Sequence, residues 1–271
     1  MAALAGSMPP IEIDIAELKR WGAIWLGTEP SGRPPGSKVQ APQRPKQPNR
    51  FDRKQGMDFG YVFDAAFGKA LASMLGGIDV LPPKTERGQT LLPPHPDCVE
   101  VGPTRIVGGI RPQNFDAAYR PDGPRVVYDS KTLNDAGSIP KNWQNMINDL
   151  ATEASTVHTR FPYCLVCFLV VVPRPALGAP QERALIRTLE RLGSRTDELD
   201  QAHLAEAISL VIWDPNTGEI DRTSPPPGSN LCLSTMHTRI YPTYLDRYKN
   251  LPPHEAEEET EAAEIDVPGN V

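Results

Sequence analysis

The 271-residue chain is 39% hydrophobic and 7% aromatic, enough for a sizeable core, but its 30 prolines mark part of it as linker rather than packed interior. It has no run of 18 apolar residues, which excludes a hydrophobic membrane-spanning helix, and its four cysteines are too few for a disulfide scaffold. The net charge of −6 is polarised: seven acids and no Lys or Arg lie between Glu255 and Asp266, whereas Ser31–Lys54 carries seven cations against Asp52 alone. The acidic average therefore says nothing against a nucleic-acid partner. No secretory leader is expected, and a cytoplasmic setting of bacterial type fits.

Residues 10–27 carry Ile11, Ile13, Ile15, Leu18, Trp21 and Trp25, a pattern for a short N-terminal segment (1–27) docked on a core. Residues 28–55, rich in Pro, Gly, Gln and basic side chains, read as a connector or arm. From Asp58, Phe59, Val62, Phe63, Ala66, Phe67, Ala70, Leu71 and Met74 recur at helical spacing until Gly76-Gly77, which predicts an amphipathic helix. A Pro-rich loop is expected over 81–97. Three strand-like runs follow at Val99–Ile110, Asn114–Arg120 and Arg125–Lys131, the last two joined through Pro121-Asp122-Gly123 as an antiparallel hairpin.

A second helix is predicted over 139–158, with Ser138 as N-cap, Pro140 in the first turn and an apolar stripe from Trp143 to Val157. Tyr163–Val172 is a continuous apolar run expected to be a strand buried on both faces. A helical region over 181–207 and a strand at Ile208–Trp213 complete the reading. The expected organisation is a globular domain over 56–250 with its core at 56–173, and an acidic disordered tail over 251–271.

The hairpin gathers chemistry. With this loop length, Asp116 lies opposite Tyr128 or Asp129, where facing Cβ atoms are roughly 4.5–5.5 Å apart. Asp129 and Lys131 are two apart and share a face. Adjacent carboxylates repel unless a cation sits between them. A hard divalent ion such as Mg²⁺ suits oxygen donors, and a lysine beside it can meet the developing charge of a phosphate or position the attacking water. The bland alternative is a cross-strand ion pair on a half-exposed sheet.

Asp116 followed by Asp129-Ser130-Lys131 on the next strand resembles the motif of the PD-(D/E)xK nuclease superfamily, and the element order from 58 to 172, α-β-β-β-α-β, is similar to that family's core. The family's acid on the preceding helix is matched by Asp64 in Gly60-Tyr61-Val62-Phe63-Asp64, and its glutamine on the following helix by Gln144. Two positions depart from the pattern: Phe115 stands where the family has proline, and Asp64 stands in place of the commoner glutamate. The resemblance implies a restriction-endonuclease-like α/β fold with a mixed sheet flanked by helices. It implies a Mg²⁺-dependent DNA endonuclease, with Mn²⁺ as substitute, of restriction or phage-defence type, acting as a homodimer or within a defence complex. Asp116, Asp129, the Ser130 carbonyl and Asp64 would hold the metal, Lys131 would serve the chemistry, and Gln144 would tether the site.

The basic residues Arg33, Lys38, Arg44, Lys46, Arg50, Arg53, Lys54 and Lys141 are candidates to track DNA phosphates, though a solvated linker accounts for the arm as well. A non-catalytic DNA-binding or scaffold subunit, and a nuclease acting on RNA or single strands, remain open alternatives. Cys164 and Cys167 form a C-x-x-C inside an apolar strand, where they point to opposite faces and read as buried hydrophobes rather than zinc ligands. His158, at a helix end, reads as a favourable cation there or as a phosphate contact. No phosphate-binding P-loop motif occurs.

Overall fold

Six strands in sequential order form one mixed sheet in the computed structural model, which describes residues 4–28 and 48–254. In chain order the elements are α1 (Ile15–Leu26), α2 (Arg53–Met74), β1 (Asp79–Leu81), β2 (Cys98–Val107), β3 (Pro112–Tyr119), β4 (Val126–Thr132), α3 (Ile139–His158), β5 (Leu165–Pro173), α4 (Ala179–Leu192), β6 (Ala207–Trp213) and α5 (Leu233–Tyr248). Strands β2, β3 and β4 pair antiparallel, while β1 adds to β2, β5 to β4 and β6 to β5, each in parallel. No helix among the described residues is long and apolar enough to cross a membrane.

The sheet is the middle of three layers. Along β5, Leu165, Cys167, Leu169 and Val171 face a core shared with α1, α2 and α5, while Val166, Phe168, Val170 and Val172 face a core shared with α3 and α4. A strand between two helical layers needs apolar side chains at every position, hence the unbroken run in the sequence. Cys164 and Cys167 fall in opposite cores, both buried. In α2, Phe59, Phe63 and Phe67 are fully buried at successive turns, each contributing about 1.5–3 kcal/mol of hydrophobic stabilisation.

Several boundaries differ from the sequence expectation. Helix α2 starts at Arg53 rather than Asp58, because Asp52 and Gln55 form a reciprocal capping box. The segment just before it is packed: Phe51 is buried against Trp21 and Phe59, and Asn49 N–H donates to Trp25 O at 2.9 Å. Residues 48–55 are thus tied to the main core through Asn49 and Phe51 rather than forming part of the connector, and α1 packs on that same core. A three-residue strand, β1, precedes the expected three.

Ser138 occupies the N-cap position of α3 without a side-chain cap, since its hydroxyl donates to Asp135 O at 3.1 Å. Helix α4 ends at Leu192 instead of running to 207. Beyond it the chain wraps around buried Arg195, which donates to Glu206 Oε1 at 2.8 Å and to the carbonyls of Pro162, Glu198 and Asp200. His158 is buried in the same network, 3.2 Å from Glu206 Oε2 and 3.0 Å from Ala202 O, so it is a structural group rather than a surface cation. Helix α5, unforeseen, buries Met236, Ile240, Tyr244 and Tyr248 at four-residue spacing against the α2 side of the sheet.

Candidate active site

Asp116 and Asp129 come together through the β3–β4 register. Ala117 pairs with Tyr128, and the next row outward places Asp116 opposite Asp129. A bulge reinforces this. On the other flank of β3, Val101 pairs with Ala117 and Thr104 with Phe115, so Gly102 and Pro103 of β2 face the single residue Asp116. Gly102 supplies the positive φ of 128° that this bend requires. The strand turns there: Phe115 packs with α3 and α4, whereas Ala117, two residues on, packs with α2 and α5. Asp116 is re-aimed along β4 rather than into either core. Its Oδ2 accepts from Ser130 N at 2.9 Å and lies 3.3 Å from Ser130 Oγ, and its carboxyl shares a hydrogen bond with that of Asp129.

Asp64 reaches the same place from α2. The helix can lie close to the sheet because Gly60 and Gly68 flank Asp64 at one turn on either side. A Cβ on Gly68 would stand 2.3 Å from Val101 Cγ2, and one on Gly60 would stand 3.5 Å from Ser130 Oγ. Asp64 is 7% exposed and bonds the Ser130 hydroxyl, while its Oδ1 has no hydrogen-bond partner.

Lys131 completes the cluster. Its Nζ donates to Asp129 Oδ2 at 2.6 Å and to Glu153 Oε1, on α3, at 2.8 Å. Burial raises the carboxyl pKa of both Asp64 and Asp116, and the charge of the neighbouring acid raises each further. Asp129 is pushed up to about 6 by burial, with Lys131 pulling the other way. Burial alone would lower Lys131, but Asp129 and Glu153 outweigh it and hold the ammonium above its ordinary value.

The other expected residues fall elsewhere. Gln144 is exposed on α3 and does not tether the site. It lies nine residues, or two and a half turns, from Glu153, so the two point to opposite sides of the helix. Glu153 is the α3 residue that meets Lys131. Its position on the inward stripe with Leu150, Ala154 and Val157 was the available signal. Ser130 joins the cluster through its N–H and hydroxyl. Lys141, Arg50, Arg53 and Lys54 are all exposed; Lys54 pairs with Asp58 at 2.7 Å, and Arg50 forms a backbone bridge to Asp135. Arg33, Lys38, Arg44, Lys46 and the acidic tail from Glu255 lie outside the described residues.

No group of three His, Cys, Asp or Glu side chains among the described residues is arranged as a metal cage. Asp129 and Glu153 each turn an oxygen to Lys131, and Asp116 turns one to Ser130 N. The donor set nevertheless fits a hard cation: three carboxyls meet around Ser130, all raised by burial, and Asp64 keeps a bare buried oxygen. Chemically, the cluster can bind a divalent ion through oxygen ligands and present an ammonium beside it. No family model, curated protein or solved structure matches this chain.

Proposed function

We propose that the protein is a metal-dependent nuclease of the PD-(D/E)xK type, hydrolysing phosphodiester bonds in DNA. The observation that carries this reading is the meeting of Asp116 and Asp129 across β3 and β4, with Lys131 bonded to Asp129 and Asp64 arriving from α2. The order α2–β2–β3–β4–α3–β5 agrees with the family's core, with β1 as an addition. A domain that kept the fold only as a DNA-binding scaffold would have no need of buried Asp64 and Asp129 beside half-buried Asp116 and Lys131, a grouping costly to desolvate.

In this reading Asp116, Asp129, Asp64 and the Ser130 carbonyl would hold a Mg²⁺ ion, for which Mn²⁺ could substitute. When bound, the ion supplies Lewis-acid polarisation of the phosphodiester. The acids orient it and neutralise its charge. Lys131 keeps its proton on Nζ and stabilises the negative charge that grows on the phosphate oxygens, an effect stronger in the transition state than in the ground state. Ser130 N–H and Oγ fix Asp116 and Asp64, so both carboxylates are placed before substrate arrives.

A restriction or phage-defence role in a bacterial-type cytoplasm belongs to the same proposal. So does a homodimer, since cutting both strands takes two such sites. The deciding experiment incubates the protein with plasmid, linear duplex, single-stranded DNA and RNA, with Mg²⁺, with Mn²⁺ and with EDTA. Cleavage of DNA that EDTA abolishes supports the reading; cleavage of RNA alone reassigns the substrate. Intact nucleic acid in every metal-containing reaction refutes it.

A further inference from the structure

We propose that Glu153 is the positioning residue for Lys131: it holds the ammonium at the metal-facing acids from a second element of the fold. This rests on the nuclease reading above. A lysine side chain has four rotatable bonds and a large rotamer entropy, so a partner two residues away on its own strand does not by itself fix where the ammonium points. Asp129 is such a partner, at 2.6 Å. Glu153 approaches from α3 at 2.8 Å and converts a local pair into a bridge between strand and helix.

Packing alone gives no reason for a glutamate here. Glu153 is 7% exposed and shares its helix face with Leu150, Ala154 and Val157. A buried carboxylate costs several kcal/mol unless it is well paired, and its Oε2 has no hydrogen-bond partner at all. An apolar side chain would fill the position at lower cost. Residues that violate local packing logic cluster where function demands them. The division of labour follows from the two carboxylates. With Asp129's oxygens turned to a divalent ion, Glu153 would remain the hydrogen-bond acceptor for Lys131 Nζ. The ammonium therefore stays in place and is not dragged along with Asp129.

The test compares Glu153→Ala, Glu153→Gln and Glu153→Asp on the DNA substrate that the wild type cuts, measuring kcat, KM and thermal midpoint. Removing an outer partner of a catalytic group typically costs about 10- to 100-fold, and that loss is expected in kcat for Glu153→Ala, with KM unchanged. Glu153→Gln, whose amide oxygen still accepts from Nζ, is expected to recover most of kcat. Glu153→Asp keeps the charge but falls short by one methylene, so it is expected to lose kcat. Neither Ala nor Gln should lower the thermal midpoint, because Lys131 retains Asp129. Wild-type kcat in the Ala or Asp variant overturns the assignment, as does an equal kcat loss in Ala and Gln accompanied by a lowered midpoint, which marks a structural role. Should the Ala variant not fold, the Gln and Asp pair decides by itself. A folded wild type that cuts nothing with Mg²⁺ or Mn²⁺ defeats the nuclease reading, and this assignment with it; an active wild type with an indifferent Glu153→Ala defeats this assignment alone.

Discussion

Replacing Asp116 by asparagine should stabilise the protein while destroying its activity. Burial, and then the nearby charge of Asp129, raise the Asp116 carboxyl from 3.8 to about 7, and it shares a hydrogen bond with the Asp129 carboxyl. An amide reproduces this neutral form: its oxygen can accept from Ser130 N, and its NH2 can donate to Asp129. The wild-type acid is stabilised by its native environment only while it keeps its proton. An acid whose folded pKa is raised contributes stability that is fully present below its unfolded pKa, near 3.9, and is lost as pH rises through the folded value. Each unit of elevation is worth about 1.4 kcal/mol. The rise of Asp116 from 3.8 to about 7 corresponds to about 4 kcal/mol once the pH exceeds the folded value. For a domain of this size that is a rise in thermal midpoint of about 8–16 °C. The assay is denaturant and thermal unfolding in EDTA at pH 4.5 and pH 8, wild type against Asp116→Asn. The gain should be small at pH 4.5, large at pH 8, and accompanied by loss of DNA cleavage. A variant less stable than wild type at pH 8, or a gain that does not change with pH, would refute the reasoning.

Lys131→Ala should lower kcat by about 10²- to 10³-fold with DNA affinity nearly unchanged, measured by single-turnover cleavage and by binding in Ca²⁺, since the ammonium acts on transition-state charge. Cation affinity should rise with pH, because ligation requires the acids to lose protons: with Asp129 at about 6 and Asp64 and Asp116 also raised, Mn²⁺ binding followed by calorimetry should strengthen steeply between pH 5.5 and 7.5. Gly68→Ala should destabilise by about 1–3 kcal/mol in urea unfolding, since the new Cβ would meet Val101 at 2.3 Å and lift α2 off the sheet. Residues 29–47 can be replaced by a short Gly-Ser linker, because a Cβ on Gly27 would stand only 3.9 Å from Pro48 Cα. Losing Arg33, Lys38, Arg44 and Lys46 should then flatten the log–log salt slope of DNA binding by up to about 3.6, and an unchanged slope would return the arm to plain linker.

The sequence by itself determined the strongly periodic elements and the strand pair that carries the acids. Phe59 to Met74, the stripe of α3 and the apolar run of β5 each express one dominant period, and the Pro-Asp-Gly turn sets the hairpin register to within one residue. That was enough to bring Asp116, Asp129 and Lys131 together; Asp64 was added by the family resemblance alone. What the tertiary structure decided depended on partners distant in sequence. The bulge at Gly102 sits fourteen residues before the acid it aims and is read only when β2 is laid beside β3. The polar stretch after Leu192 has the composition of a helix, yet the buried Arg195–Glu206 pair curls it into a loop. Helix α5 hides its period behind the exposed Pro242 and a run of Ser and Thr, and forms because its four-residue stripe has the α2 side of the sheet to cover. The choice between Gln144 and Glu153 was likewise a matter of which side of α3 faces β4. Helical phase is set by packing, so a residue type matched along the chain selected the solvent side, and the fold selected the other.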